Sequence, residues 1–305
     1  MNKKIACVIP SYNHANYIAE AIQSVLGQSV PPERLVIIDD GSKDNSIDVI
    51  RSMKDSRIRL VPQENKGAHA ALTRGLELST ECDFIAVLNS DDRYHPDRFA
   101  RCIAHFDRYP ETELVCTRIR LIDGSSAPVG QFDGRQRRLN RIWSHLSKPV
   151  DLAESLSFGN YTKTTSNFFF RRGAITEFRP YRYAHDYFAA LIVAFRSALG
   201  LVHQDLLDYR VHDTNTIKAD GKGAVVQEII RMHLDLLTEL RPGLETDPVL
   251  RKRVVKYLKS AMNNYTDMRA ELLLLSLARA LSGDANPTEN LMHFPEVAEP
   301  STSPP

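Results

Sequence analysis

FIAVLNSDDRYHPDRF, from Phe84 to Phe99, runs apolar for five residues, breaks at Asn89 and then places two carboxylates side by side, Asp91 and Asp92. An apolar run of that length fits a strand buried on both faces. Like charges in contact resist burial unless something cationic holds them. An acid pair at the end of a buried strand therefore asks for an explanation, a ligand site or a polar turn. Beyond the acids, PDRFARCIAHF repeats Phe99, Ile103 and Phe106 on one helical face, with Pro96 suited to the first turn.

Upstream the same alternation recurs. Strand-like runs come at IACVIP, RLVIID and RIRLVP. Between them, Ile18, Ile22, Val25 and Leu26 share one helical face, and Ile47, Ile50 and Met53 share another. Alternating strands and helices, with nearly continuous apolar strands, predict an α/β fold with a mostly parallel sheet flanked by helices. In such sheets ligands bind at the carboxyl ends of the strands.

Downstream, ELVCTRIRLI and TSNFFFRR read as strands, DYFAALIVAFRSALG as a buried helix and DLLDYRVH as a further strand. Residues 123–150 mix Gly, Pro and Arg and read as a loop. From Gly223 the pattern is helical, through VVQEIIRMHLDLLTEL, VLRKRVVKYLKSAMNNY and MRAELLLLSLARAL. The expected organisation is a catalytic unit over 1–220, a helical extension over 221–284 and a disordered tail over 285–305.

Composition narrows the function. The chain has 305 residues, 39 Lys+Arg and 38 Asp+Glu, for a net charge of +1. That balance gives no nucleic-acid footprint, and no nucleic-acid partner is expected. The four cysteines form no CxxC pair, which argues against zinc and fits a reducing cytoplasm. The amino-terminal apolar run is too short for a signal peptide, and no stretch reaches the length of a membrane span. The basic VLRKRVVKYLKS segment suits a packed helix with a solvated face, peripheral membrane association or a homodimer contact.

Two common phosphate cradles are missing. GxGxxG would follow the first strand, where PSYNHANY stands instead, and no GxxxxGK[ST] occurs. What the strand ends carry is acid: Asp39 and Asp40 after RLVII, Asp91 and Asp92 after FIAVL. Carboxylates there can accept from a base or ribose, or bind a hard divalent cation. Asp-Gly and Ser-Asp-Asp are also good turn sequences.

Taken in order, PSYNHANYIAEAIQSVLGQS, VIIDDGSKDNS, NKGAHAALTRGL and LNSDD resemble the successive signatures of family 2 glycosyltransferases of the GT-A (Rossmann-like) fold. The resemblance continues more loosely through HDYFAALIVA and YRVHDTNTI. It implies a nucleotide-sugar donor held by Pro10, Tyr12, Asp39, Asp40, Asn65, Lys66 and Asp91. Among these, Asp40 would read the base and Asp91 would face the ribose. Asp92 and His212 would bind a divalent cation, Mn²⁺ or Mg²⁺. Asp186 would be the catalytic base of an inverting single displacement onto a glycan, lipid-linked or other hydroxyl acceptor. By its residues alone, Asp186 reads first as an N-cap of the helix that follows it; the resemblance implies the base, and the two roles can coexist.

Three departures from the family pattern, at four residues, stand out. Asn89 stands where Asp is common, Leu72 and Thr73 stand where Arg-Asn is common, and His185 precedes the base where Glu is common. QxxRW and membrane helices, marks of the processive synthases, are missing, so a single-addition enzyme of the cytoplasm or of the inner membrane face is expected. The departures keep a catalytically silent sugar-nucleotide-binding or scaffold protein open. A sugar nucleotidyltransferase fits less well, since it wants a glycine-rich loop after the first strand. Trp143 and the basic run RQRRLNR are candidates to line the acceptor side, and Thr165, Ser166 and Asn167 are placed in a strand near the substrates.

Overall fold

The computed structural model describes residues 3–130, 132–147, 151–158, 160–212, 222–262 and 281. The third carboxyl-terminal segment before Leu281, the stretch 213–221 at the expected boundary near DGKG, and the tail 285–305 lie outside the described residues.

The amino-terminal half alternates strand and helix: β1 (Ile5–Ser11), α1 (Ile18–Leu26), β2 (Arg34–Asp39), α2 (Ser46–Ser52), β3 (Ile58–Pro62), α3 (Ala68–Glu77) and β4 (Phe84–Val87). β1 pairs in parallel with β2 and β4, and β2 with β3. Successive side chains of a strand point to opposite faces. Ile5, Cys7 and Ile9 therefore join one core layer, with Ile18, Ile22 and Val25 of α1. Ala6 and Val8 join the other, with Leu72 and Leu76 of α3. α3 lies close on β1, and Gly75 permits it: a Cβ there would stand 2.2 Å from Val8 Cγ1.

The second half is β5 (Arg93–Tyr94), α4 (Arg98–Arg108), β6 (Thr112–Ile122), α5 (Gly134–Leu146), α6 (Leu152–Ser155), β7 (Phe169–Arg171), α7 (His185–Arg196), β8 (Ala198–Arg210), α8 (Lys222–Thr246) and α9 (Pro248–Met262). The sheet order is β3-β2-β1-β4-β7-β6-β8-β5. β7 runs antiparallel between β4 and β6, so the parallel half closes onto a mixed half. Met232, Leu236 and Leu240 of α8 and Val254, Tyr257 and Leu258 of α9 belong to the same apolar cluster as Val8 and Phe170. The carboxyl-terminal helices thus share the core of the sheet.

Two expectations are corrected. The stretch 123–150 is not loop throughout. Asp133 caps α5 by accepting from the N–H groups of Arg135 and Gln136, and Gln136, Leu139, Trp143 and Leu146 turn one face inward. Its five arginine and histidine residues had masked that spacing. Trp143 is buried in the core and does not line a cleft. Likewise Thr165–Asn167 is a turn of 3-10 helix, not strand, because Thr164 accepts from Ser166 N–H and folds the chain back before β7.

Candidate active site

β1, β2 and β4 deliver their carboxyl ends to one edge, with Ser11 opposite Asp39 and Val8 opposite Val87. All four acids there meet protein groups, three of them through donors fixed in the fold around the strand ends. Asp39 accepts from Ser42 N–H at 2.9 Å, from Ser42 Oγ at 2.7 Å and from Ser11 Oγ at 3.3 Å. Asp40 accepts from Gln63 Nε2 at 2.7 Å and from the N–H groups of Lys66 and Gly67 at 2.9 and 2.8 Å. Gly67 reaches it through a left-handed turn, φ 89°. Of the other expected donor contacts, Pro10 is buried in β1, while Tyr12, Asn65 and Lys66 are exposed at the rim.

The third is Asp92, which is 1% exposed. It accepts from Ser166 Oγ at 2.5 Å and from Arg210 N–H at 2.9 Å. Burial and the neighbouring charge of Asp91 push its pKa well above the usual carboxylate value.

Asp91 faces the other way. Its Oδ2 lies 3.0 Å from Nε2 of His212, and its backbone carbonyl accepts from Arg210 Nε at 2.7 Å. Burial alone would raise its pKa, but the His212 hydrogen bond and the nearby His14 and His212 outweigh burial and hold it low. Potential ligand atoms of His14, Asp91 and His212 all lie within 4.8 Å of one another. Asp92, expected at the metal, is tied into the fold, while Asp91, expected at the ribose, points at two imidazoles.

His14, in the loop that leaves β1, is not among the candidate residues named from the sequence. The fold brings it here because β1 ends beside β4, and its Nδ1 meets Ser90 Oγ at 2.7 Å. Its ring stands edge-on to His212, which stacks on Tyr17. The signal in the sequence was one polar imidazole in the loop leaving a strand, too common to read alone.

Arg210 holds the floor and was also missed, because it reads as an ordinary strand residue. It is wholly buried. Besides Asp91, its guanidinium donates to the Asp123 carbonyl, Ser126 Oγ and Glu20, and it lies 4.7 Å over the Tyr17 ring.

Asn89 keeps both ends of its amide occupied. Nδ2 donates to Thr164 Oγ1 at 2.8 Å, and Oδ1 accepts from Thr165 Oγ1 at 3.0 Å. The departure at Leu72 and Thr73 is likewise absorbed by the fold. Leu72 is core, and Thr73 Oγ1 bonds the His69 carbonyl and accepts from Phe178 N–H.

Asp186 sits in the first turn of α7, whose capping residue is Ala184. Burial raises its pKa, against the opposing effect of His185. Asn160 Nδ2 donates to its Oδ2 at 2.9 Å. One segment therefore touches both places, since Asn160 holds Asp186 while Thr164, Thr165 and Ser166 hold Asn89 and Asp92. Asn160 and Thr164 are four residues apart, at most about 14 Å even fully extended. The Tyr209 phenol feels the charges of all three acids. Burial raises its pKa first, and the charges of Asp92, Asp91 and Asp186 add to it.

The glycosyl transferase family 2 model matches residues 6–179, more than half of the chain. The chain belongs to glycosyl transferase family 2. It is 28% identical over 236 residues to an uncharacterized glycosyltransferase of Nostoc sp., covering 74% of this chain and 70% of that one. It is 35% identical over 100 residues to TuaG of Bacillus subtilis, a putative teichuronic acid biosynthesis glycosyltransferase, covering 32% of this chain and 39% of that one. Among solved structures, residues 1–349 of S. aureus TarS in complex with UDP-GlcNAc superpose with a TM-score of 0.62 at 13% identity, over 95% of this chain and 91% of that one. The family 2 chain therefore has the GT-A glycosyltransferase fold expected of it. No helix among its described residues is long and apolar enough to cross a membrane.

Proposed function

We propose that this transferase moves one sugar, with inversion, from a nucleoside diphosphate donor to a hydroxyl acceptor in the assembly of a polysaccharide or surface glycan. The observation that carries the reading is the Asp91–His212 contact at the end of β4, set against the buried Asp186 on α7. UDP-GlcNAc in TarS and the name of TuaG support the donor class and the pathway class.

The nucleotide would lie along the ends of β1, β2 and β4. There the exposed ring of Tyr12 offers a stacking face and Asp40, with Lys66 and Asn65 beside it, bounds the base. His14, Asp91 and His212 would hold a divalent cation. An imidazole–carboxylate–imidazole set suits Mn²⁺ better than Mg²⁺, which favours oxygen ligands. When bound, such an ion supplies charge to offset that developing on the leaving diphosphate.

Asp92 and Arg210 fix the backbone on which Asp91 rides. Asp186 would accept the proton of the attacking hydroxyl, and its raised pKa makes it a better proton acceptor than an exposed carboxylate. Asn160 orients it.

Calorimetry with a panel of nucleoside diphosphates, with and without Mn²⁺, tests the reading, followed by a donor screen for released nucleoside diphosphate. Metal-dependent binding of one nucleotide and turnover of its sugar derivative are expected, with the inverted anomer in the product by NMR. Binding that ignores Mn²⁺ would overturn the cation site. Binding without turnover, unchanged in Asp186→Asn, would make the chain a sugar-nucleotide-binding protein.

A further inference from the structure

We infer that Glu228 of α8 is a positioning residue for Asp186, which makes the carboxyl-terminal helices part of the catalytic machinery; the inference rests on Asp186 being the base, as proposed above. The first N–H groups of a helix have no partner within it. Ala184 stands at the cap of α7, and its side chain accepts no hydrogen bond from them. A carboxylate from another helix serves instead. Glu228 Oε1 accepts from the N–H groups of Tyr183 at 2.5 Å and Ala184 at 2.8 Å, and Oε2 accepts from Arg182 N–H at 2.7 Å. A negative charge at that end also complements the helix dipole. Asp186 follows two residues after the cap.

The grip extends along α8. Asp235 accepts from the Tyr181 hydroxyl, and Glu239 accepts from Arg179 Nη2 at 3.0 Å. Glu228, Asp235 and Glu239 are seven and four residues apart, so they share one helical face. Their partners are met in the opposite order, Arg179 first, then Tyr181, then the backbone of 182–184. The segment leading into Asp186 therefore lies antiparallel along that face.

The residue after Asp186 is tied to the other carboxyl-terminal helix. Tyr187 donates its hydroxyl to the Leu156 carbonyl at 2.6 Å and meets the Tyr257 hydroxyl of α9 at 3.1 Å. Tyr257 lies in turn 3.0 Å from Nε2 of His233, back on α8. Asp186 is thus bracketed, by α8 through Ala184 and by α9 through Tyr187. A cap that only stabilised α7 would come from a side chain beside Ala184. One supplied from 44 residues away also fixes where α7 starts relative to α8. That placement matters to a base, since a misplacement of about 1 Å can cost roughly a hundredfold in rate.

Glu228→Gln keeps the shape but turns an amide N–H toward a backbone N–H, because both oxygens of the carboxylate accept. Glu228→Asp, one carbon shorter, is the second variant. Glu245→Gln, on the same helix and paired with the exposed Arg241, is the control. Carboxyl ¹³C NMR of the full chain in EDTA reads the environment of Asp186 without turnover, its signal assigned by its loss in Asp186→Asn. Burial raises the Asp186 pKa against His185, the Tyr187 N–H and Asn160, while Lys163 and Tyr209 feel its charge. Loosening the segment admits water, so the pKa should fall toward the ordinary carboxylate range in both Glu228 variants and hold in the control. With the nucleotide sugar that turns over in the donor screen, kcat should drop roughly tenfold in Glu228→Gln, with donor KM and Mn²⁺ affinity unchanged. An unmoved Asp186 titration and unchanged kcat in folded variants, with only the melting temperature lowered, would reduce Glu228 to a cap and overturn the inference. So would a changed donor KM at constant kcat, which would assign Glu228 to the donor. A shifted Asp186 titration in a chain that turns over no sugar nucleotide would keep the positioning role and sink the transferase reading. Turnover that survives Asp186→Asn would sink the base, and the positioning role with it, and leave the transferase standing.

Discussion

Oδ2 of Asp91 and Nε2 of His212 meet at 3.0 Å across 121 residues of chain, joining the end of β4 to the segment that follows β8. With His14 they offer three ligand atoms to one point. Asp91→Asn and His212→Ala are each expected to weaken Mn²⁺ binding by about a hundredfold, and His14→Ala by about tenfold. Titration of Mn²⁺ followed by electron paramagnetic resonance measures this without turnover. Wild-type affinity in Asp91→Asn would remove the cation from this site.

Asn89→Asp tests whether the acid cluster tolerates a third charge. The amide donates to Thr164 and accepts from Thr165, and the Thr164 hydroxyl can turn to donate in its place. What remains is a new negative charge beside Asp91 and Asp92. A loss of about 1–2 kcal/mol is expected in EDTA, with Mn²⁺ restoring much of it. Urea melts with and without Mn²⁺ read both. A variant as stable in EDTA as the wild type would show that the acids do not need a cation to coexist.

The alternating half of the fold was legible because β1, β2 and β4 are buried on both faces and read as nearly continuous apolar runs, while β3, at the sheet edge, is only half-buried. α5 was not, since its inward residues Gln136, Leu139, Trp143 and Leu146 are interleaved with arginines whose charge dominates any short window. Thr165–Asn167 was misread because residues that favour strands also favour side-chain-to-backbone turns, and only the Thr164 hydrogen bond decides between them. The order of the acids was legible in the site; their directions were not. Which of two adjacent aspartates turns inward depends on Arg210 and Ser166, 118 and 74 residues away from Asp92. No local pattern carries that information.

Arg210 is a buried cation whose partners are three oxygens of loops and the carboxylate of Glu20. Glu20→Gln keeps the shape and removes the charge. Burial works against the ionised form of Glu20, but hydrogen bonds from Ser126 and Arg93 and the charge of Arg210 hold its pKa low, so it is ionised at neutral pH. Glu20 is one-third exposed, so water replaces part of what is lost, and a destabilisation of about 1–2 kcal/mol is expected. Because Arg210 also holds the Asp91 carbonyl and the Asp92 carboxylate, Mn²⁺ affinity should fall with it. Stability lost with unchanged Mn²⁺ affinity would mean that the floor and the cation site are independent.

Asp186 and Asn160 give a pH signature. A base works ionised, and burial raises the pKa of Asp186, so kcat/KM should fall on the acid side at a pH above the ordinary carboxylate range. Asn160 donates to the carboxylate and favours its ionised form. Asn160→Ala should therefore move the acid limb to still higher pH, with activity recovered as pH rises. Asp186→Asn should lose about 10²–10⁴ in kcat at every pH. Stability runs in the opposite sense. The folded carboxyl binds its proton more tightly than the unfolded one, so its contribution is present below the unfolded pKa and is lost as pH rises through the folded value. Melting temperatures of wild type and Asp186→Asn should accordingly shift in favour of the variant between acid and neutral pH. A pH profile unmoved by Asn160→Ala would leave Asn160 a purely structural residue of its turn.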